Sequence, residues 1–218
     1  MKETLQFLSE LAANNNKEWF DTNRSRYKTL RERFEQFTDT YIHRLAEEVD
    51  PTLVGLKAKD CIWRINRDIR FSNDKRPYKE WFGAFPAAGG GKKSPRGGYY
   101  VHIQPGQCMF AAGIWGPDKD LLRALRDDIV DNNDELEEIM AGSAFREFFT
   151  DFDTDYMLTR VPAGYDANFV HADWLKRKCF TISTSLTDRQ VCDPHFMDRL
   201  IRIAKAAYPV NRFLNYRW

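Results

Sequence analysis

The chain has 218 residues, 43% of them hydrophobic and 30% charged, with six Trp; this balance excludes a disordered chain and supplies a sizeable core. Lys and Arg number 33 against 32 Asp and Glu, for a net charge of +1, so a binder that relies on overall basic charge is excluded and any anion recognition must be local. Cys61, Cys108, Cys179 and Cys192 form no CxxC pair and the histidines complete no zinc spacing. No metal site and no cofactor are therefore expected, and the three cysteines in apolar runs read as buried, reduced thiols. The N-terminus turns polar too early for a signal peptide, and no apolar run approaches the ~20 residues that span a bilayer. These features predict a cytoplasmic protein without membrane contact.

In chain order, residues 3–13 read as a short helix with Leu5, Leu8 and Leu11 spaced by three, interrupted by Asn14-Asn15-Asn16. A longer helix is predicted from Lys17 to Glu48, because Phe20, Asn23, Tyr27, Leu30, Phe34, Phe37, Tyr41 and Leu45 recur at steps of three and four. Asp50-Pro51 ends it, since the residue before proline is pushed out of helical geometry. Cys61 to Asn66 alternates as a strand with one partly polar face, and Trp81 to Phe85 reads as another. The glycine-rich run from Gly89 to Gly98 reads as a mobile loop; it lacks the GxxxxGK[ST] pattern of a phosphate loop.

Tyr99–Gln104 and Gln107–Trp115 flank Pro105-Gly106, a turn pair that predicts a hairpin. A tight turn sets Val101 opposite Phe110 and Ile103 opposite Cys108 on a core face. The other face then holds Tyr100, His102, Met109, Ala111 and Gly113, with room for another element or a ligand. Pro117 is placed to open a helix carrying Leu121, Leu122, Leu125 and Ile129, and helical segments continue to Phe149. An irregular acidic stretch, Asp151–Asp155, follows. Lys178–Leu186 reads as the last strand and Pro194 to about Ala207 as a closing helix. The result is an α+β fold, mainly an antiparallel sheet with a central hairpin packed against a long N-terminal amphipathic helix and further helices. No internal repeat or linker is visible, so a single domain over residues 1–218 is expected.

The segment Arg64-Ile-Asn-Arg-Asp-Ile-Arg-Phe-Ser-Asn-Asp-Lys-Arg-Pro-Tyr-Lys79 gathers six cations around two aspartates and two aromatic rings. With Lys17-Glu18-Trp19-Phe20, Asn23 and Tyr27, with Tyr99-Tyr100-Val-His102, with Ala112-Gly113 and Pro117, and with Arg160-Val-Pro162-Ala-Gly164-Tyr165 followed by Lys176 and Lys178, it resembles the family called domain of unknown function 2461. The resemblance covers nearly the whole chain. It implies a soluble domain found widely in bacteria and also in fungi, and it carries over no catalytic role.

Two readings of the cations stand side by side. Guanidinium groups bind phosphate or carboxylate bidentately, so Arg64, Arg67, Arg70, Lys75 and Lys79, joined by Arg160 and Lys176 or Lys178, would line a site for a small phosphorylated or carboxylated ligand. Tyr100 and His102 would add neutral hydrogen bonds. Alternatively Asp68 and Asp74 pair with the arginines and brace the loop. The same segment could instead dock a nucleic acid strand or an acidic protein surface, a reading that the near-neutral total charge disfavours. His102 itself is read as a hydrogen-bonded strand histidine rather than an acid–base group, and Trp19, Trp63 and Trp81 as core or groove elements.

Overall fold

The computed structural model describes residues 1–216. Helix α1 (Lys2–Ala13) is followed by α2 (Lys17–Thr22) and α3 (Arg24–Glu48), so the long predicted helix is interrupted at Asn23. Each asparagine of the run between α1 and α2 has a separate task. Asn14 bonds back to the Glu10 carbonyl at 2.9 Å, Asn16 caps α2 by accepting from the Trp19 N–H at 3.0 Å, and Asn15 reaches across to Tyr78. On α3 the inward stripe is Leu30, Phe34, Tyr41 and Leu45, all buried. Phe37 lies half-buried, its ring parallel to that of Phe196 at 5.9 Å.

Among the described residues, β1 (Phe82–Ala84), β2 (Gly98–Ile103), β3 (Cys108–Ile114) and β4 (Phe180–Leu186) form one antiparallel sheet in chain order. The hairpin register is the one its turn requires: Val101 faces Phe110, Gln107 N–H bonds the Gln104 carbonyl at 2.9 Å, and Gly106 supplies the positive φ of 70°. Side-chain alternation divides the sheet. Tyr99, Val101, Ile103, Phe110, Ala112, Ile114, Phe180 and Ile182 are buried on the inner face, where α10 (Phe196–Leu214) lies against β3. The outer face carries Gly83, Tyr100, His102, Met109, Ala111, Gly113, Thr181 and Ser183.

Helices α5 (Lys119–Asp131), α6 (Asn133–Ala141), α7 (Ser143–Arg146) and α8 (Ala172–Leu175) fill the connection from β3 to β4. Asp118, not Pro117, begins α5, because its carboxylate accepts from the Leu121 N–H at 2.9 Å. The acidic stretch before β4 is structural: Asp153 accepts from Thr181 and Ser183 at 2.7 and 2.6 Å. Helix α10 runs seven residues beyond Ala207, through Pro209, because Val210, Phe213 and Leu214 stay buried and hold the last turns in place. Cys61, Cys108 and Cys179 are buried thiols and Cys192 is exposed. Among the described residues no helix is long and apolar enough to cross a membrane.

Two segments differ from expectation. The predicted strand at 61–66 is not a ladder strand: Cys61 closes the short helix α4 (Ala58–Cys61), and beyond it only isolated bridges form, Ile62 to Ala84 and Asn66 to Tyr78. The chain leaves the sheet there because Lys79 and Arg67 amides pair it with its own return, Lys79 N–H to Ile65 and Arg67 N–H to Pro77 at 2.8 and 2.9 Å. The run from Gly89 to Gly98, expected to be mobile, is packed. A Cβ on Gly91 would stand 2.7 Å from the Asp60 carbonyl oxygen, and one on Gly98 only 2.4 Å from that of Pro86. Gly91 and Gly98 serve close backbone approach, whereas Gly89 and Gly90 supply positive φ values of 79° and 134°.

Two stability outcomes follow from these contacts. Tyr78 is buried and stacked on Phe20 with ring centroids 3.9 Å apart, so Tyr78→Ala should cost roughly 3 kcal/mol or more in chemical denaturation. Gly98→Ala should cost about 1–3 kcal/mol by overpacking against Pro86; an unchanged denaturation midpoint would show that the strand has slack there.

Candidate functional site

The cationic segment is a protruding two-stranded arm. Its ends are joined by the Asn66–Tyr78 bridge, and its base is clamped by Asn15, whose side-chain amide donates to the Tyr78 carbonyl (3.0 Å) and accepts from the Tyr78 N–H (3.1 Å). Arg31 of α3 adds a bond from its guanidinium to the Trp63 carbonyl at 3.1 Å.

Within the arm most arginines are matched to carboxylates. Arg70 grips Asp68 through Nε and Nη2 at 2.9 and 2.6 Å. Asp74 is shared by Arg76 and Arg67, each at 2.7 Å, and Arg76 also reaches Glu80 at 2.5 Å. The bonds from Arg76 and then Arg67 hold the Asp74 carboxyl far below the usual carboxylate range, and Arg70 lowers that of Asp68. Pairing therefore braces this part of the arm.

Three cations form no ion pair with a carboxylate among the described residues. Lys75 donates to the Ile69 carbonyl at 3.1 Å near the tip. Lys79 donates to the carbonyls of Arg64 and Asn66 at 2.8 and 2.7 Å. An ammonium has three N–H donors, so one of those on Lys79 is unspent. Burial, then the charges of Arg64 and Arg67, push the Lys79 pKa down. Arg64 is exposed, and its guanidinium makes no hydrogen bond or ion pair among the described residues.

Beside this base lies the outer face of the sheet. Lys79 sits over the Trp81 ring at 5.7 Å, Trp81 contacts His102 at 5.1 Å, and Trp63 stands edge-on to Tyr100 at 5.5 Å. Gly83 makes room for them, since a Cβ there would meet Trp81 at 2.8 Å and the Tyr100 hydroxyl at 2.9 Å. Tyr100 Oη is 2.6 Å from His102 Nδ1, and His102 Nε2 is 2.9 Å from Gln104 Oε1. With the Gln104 amide oxygen accepting, Nε2 carries the proton and Nδ1 accepts from the tyrosine hydroxyl. Burial raises the Tyr100 pKa and lowers that of His102, the Gln104 bond partly opposing the latter. Both groups are thus held neutral.

Arg64 and Arg67 lie close enough to Lys79 for their charges to act on it, and Lys79 is linked to His102, and so to Tyr100, through the Trp81 ring. Arg70 and Lys75 lie further out on the arm. Arg160, Lys176 and Lys178 sit beyond the opposite edge, next to β4: the Lys176 carbonyl bonds Leu158, Lys178 bonds Tyr156, and Lys176 pairs with Asp173 at 2.7 Å. With β2 and β3 between, the two edge strands are about 14 Å apart. Among the described residues no three of His, Cys, Asp and Glu gather to hold a metal ion.

Asn15, Trp63, Trp81 and Gln104 complete the arrangement without having been singled out as site residues. Gln104 was within reach, because Tyr100, His102 and Gln104 follow the period-two spacing of one strand face. Asn15 had no local signal, since its partner stands 63 positions away. A separate cleft of about 550 Å³ is lined by Asp50, Arg96, Glu135, Arg212 and Asn215, among others. There Arg212 faces Glu135 at 3.8 Å, and Asp50 accepts from the Thr52 and Tyr99 hydroxyls.

The model of the family described as "Conserved hypothetical protein (DUF2461)" matches residues 3–213. The chain belongs to this family. No curated protein and no solved structure matches it. The DUF2461 match takes in the arm, the sheet and nearly all of α10, so the candidate site lies wholly within the shared region.

The lowered pKa of His102 has a definite linkage sign. Unfolded, the imidazole titrates near 6.5; folded, it resists protonation to lower pH. Above that value both states are neutral and nothing is contributed, whereas below it the unfolded state takes up a proton first and stability falls, until the folded imidazole titrates too. Urea denaturation between pH ~7.5 and ~5 should show this loss, and His102→Gln should reduce it. Equal pH slopes for both proteins would mean that the imidazole is not shielded.

Proposed function

We propose that the base of the arm binds a small molecule carrying a phosphate or carboxylate group. The observation that carries this reading is the Arg64 guanidinium, which makes no hydrogen bond or ion pair among the described residues, beside a Lys79 ammonium with one donor unspent. Like charges brought together repel unless an anion offsets them, and the arm's carboxylates are already engaged by Arg67, Arg70 and Arg76. An incoming anion would meet Arg64 bidentately and Lys79 as a point charge. Tyr100 and His102, kept neutral, would orient the rest of the ligand against Trp63 and Trp81. Arg70, Lys75, Arg160, Lys176 and Lys178 would contribute through their field rather than by contact.

Inorganic phosphate, a nucleoside monophosphate and a dicarboxylate, tested by thermal shift, should each reveal whether they bind the native protein. A ligand at a hundredfold its Kd stabilises by about 2.7 kcal/mol, or several degrees at this chain length. The shift should shrink with added salt and be reduced in Arg64→Ala, an exposed position where the fold is expected to stay intact. Equal shifts in both proteins would reject the site.

A further inference from the structure

The arm's charge is out of proportion to that of the chain. From Arg64 to Lys79 it carries four more cationic than anionic side chains, while the whole chain has a net charge of +1, so the rest is acidic on balance. At the tip, Phe71 is 96% exposed. Its ring has one partner among the described residues, the Arg70 guanidinium at 5.8 Å from the centroid. That guanidinium is itself anchored by Asp68. A large apolar ring held in water at the end of a basic arm is unexplained by packing.

Arg64 at the base and Phe71 at the tip are seven positions apart, with a bend at Ile65 and a turn at Arg70-Phe71 between them, so at most roughly 20 Å of chain separates them. A cation at the base and an exposed ring at the tip, as separate points of contact, suit a polymer with regularly spaced phosphates better than a small phosphate ester. Resting on the anion-binding reading above, we propose that the arm binds single-stranded nucleic acid, with backbone phosphates at Arg64 and Lys79 and an unpaired base stacked on Phe71. Aromatic platforms combined with backbone-tracking cations are how single strands are held without sequence readout, and an arginine over the ring adds to the stack. An acidic peptide would satisfy the cations but would offer the ring no flat partner. A duplex keeps its bases stacked on each other, and the near-neutral protein gives it little long-range attraction.

The test is fluorescence anisotropy of a labelled oligothymidylate of about ten nucleotides, at low salt, on the full chain. Saturable binding that weakens as salt rises is expected. Phe71→Ala should weaken it about fivefold or more while leaving the thermal shift by inorganic phosphate unchanged; Arg64→Ala should reduce both. Phe71 touches no core residue, so the variant's melting temperature should equal the native one and an affinity change cannot come from misfolding. Several results overturn the proposal: equal affinity of the native and Phe71→Ala proteins, equal affinity for a duplex, or displacement of the oligonucleotide by polyglutamate at the same charge concentration. No oligonucleotide binding with the phosphate shift retained would reject the nucleic acid and keep the small-anion site. Loss of the phosphate shift as well would reject both.

Discussion

The position of every cation in the arm depends on how Tyr78 is fastened to the junction of α1 and α2. Two backbone bonds, which together make the Asn66–Tyr78 bridge, join the arm's strands, and an isolated hairpin of that kind is marginal in water. Asn15 supplies what a neighbouring strand would: one donor and one acceptor in a plane, aimed at the carbonyl and amide of a single residue. The ring of Tyr78 then buries itself against Phe20. Packing of this sort is insensitive to salt, which lets the fold hold together a group of charges that would otherwise drive it apart.

Charge pairing shapes the arm without neutralising it. Asp68, Asp74 and Glu80 fix the directions of Arg70, Arg67 and Arg76, pairs at or near the surface of modest worth whose value lies in geometry. At the base, two carbonyl dipoles replace a carboxylate as the partners of Lys79. A carbonyl satisfies a donor but cancels no charge, so the positive field survives where Tyr100, His102 and the two tryptophans meet it. Arginines braced by carboxylates along the arm thus stand beside a base whose positive charge is left in place.

Elements built on strong periodicity were legible in the sequence. The α3 stripe, the hairpin and its register followed from spacing alone, because period and turn chemistry are local properties. Elements that depend on distant partners were not. The alternation at Cys61–Asn66 looked like a ladder strand, yet Arg67 and Lys79 pair with the arm's own backbone and draw the chain off the sheet. Glycines from 89 to 98 looked mobile in composition, although Gly91 and Gly98 are small because other backbone passes within contact distance. In the candidate site, the residue types could be named from sequence. Which of them meet could not, since Lys79 reaches His102 through the Trp81 ring and the β1–β2 pairing.

The clamp at Asn15 also makes the arm chemically perishable. Aspartate is nearly the same shape as asparagine but offers acceptors only. Slow hydrolysis of that one amide would leave the Tyr78 carbonyl facing another oxygen and set a new carboxylate beside Glu80, which Asn15 now contacts at 2.9 Å. The attraction that ties the arm down would become repulsion at the same spot. An aged sample would then contain molecules with an intact core and a loosened arm, separable by charge although their backbone sequence is unbroken.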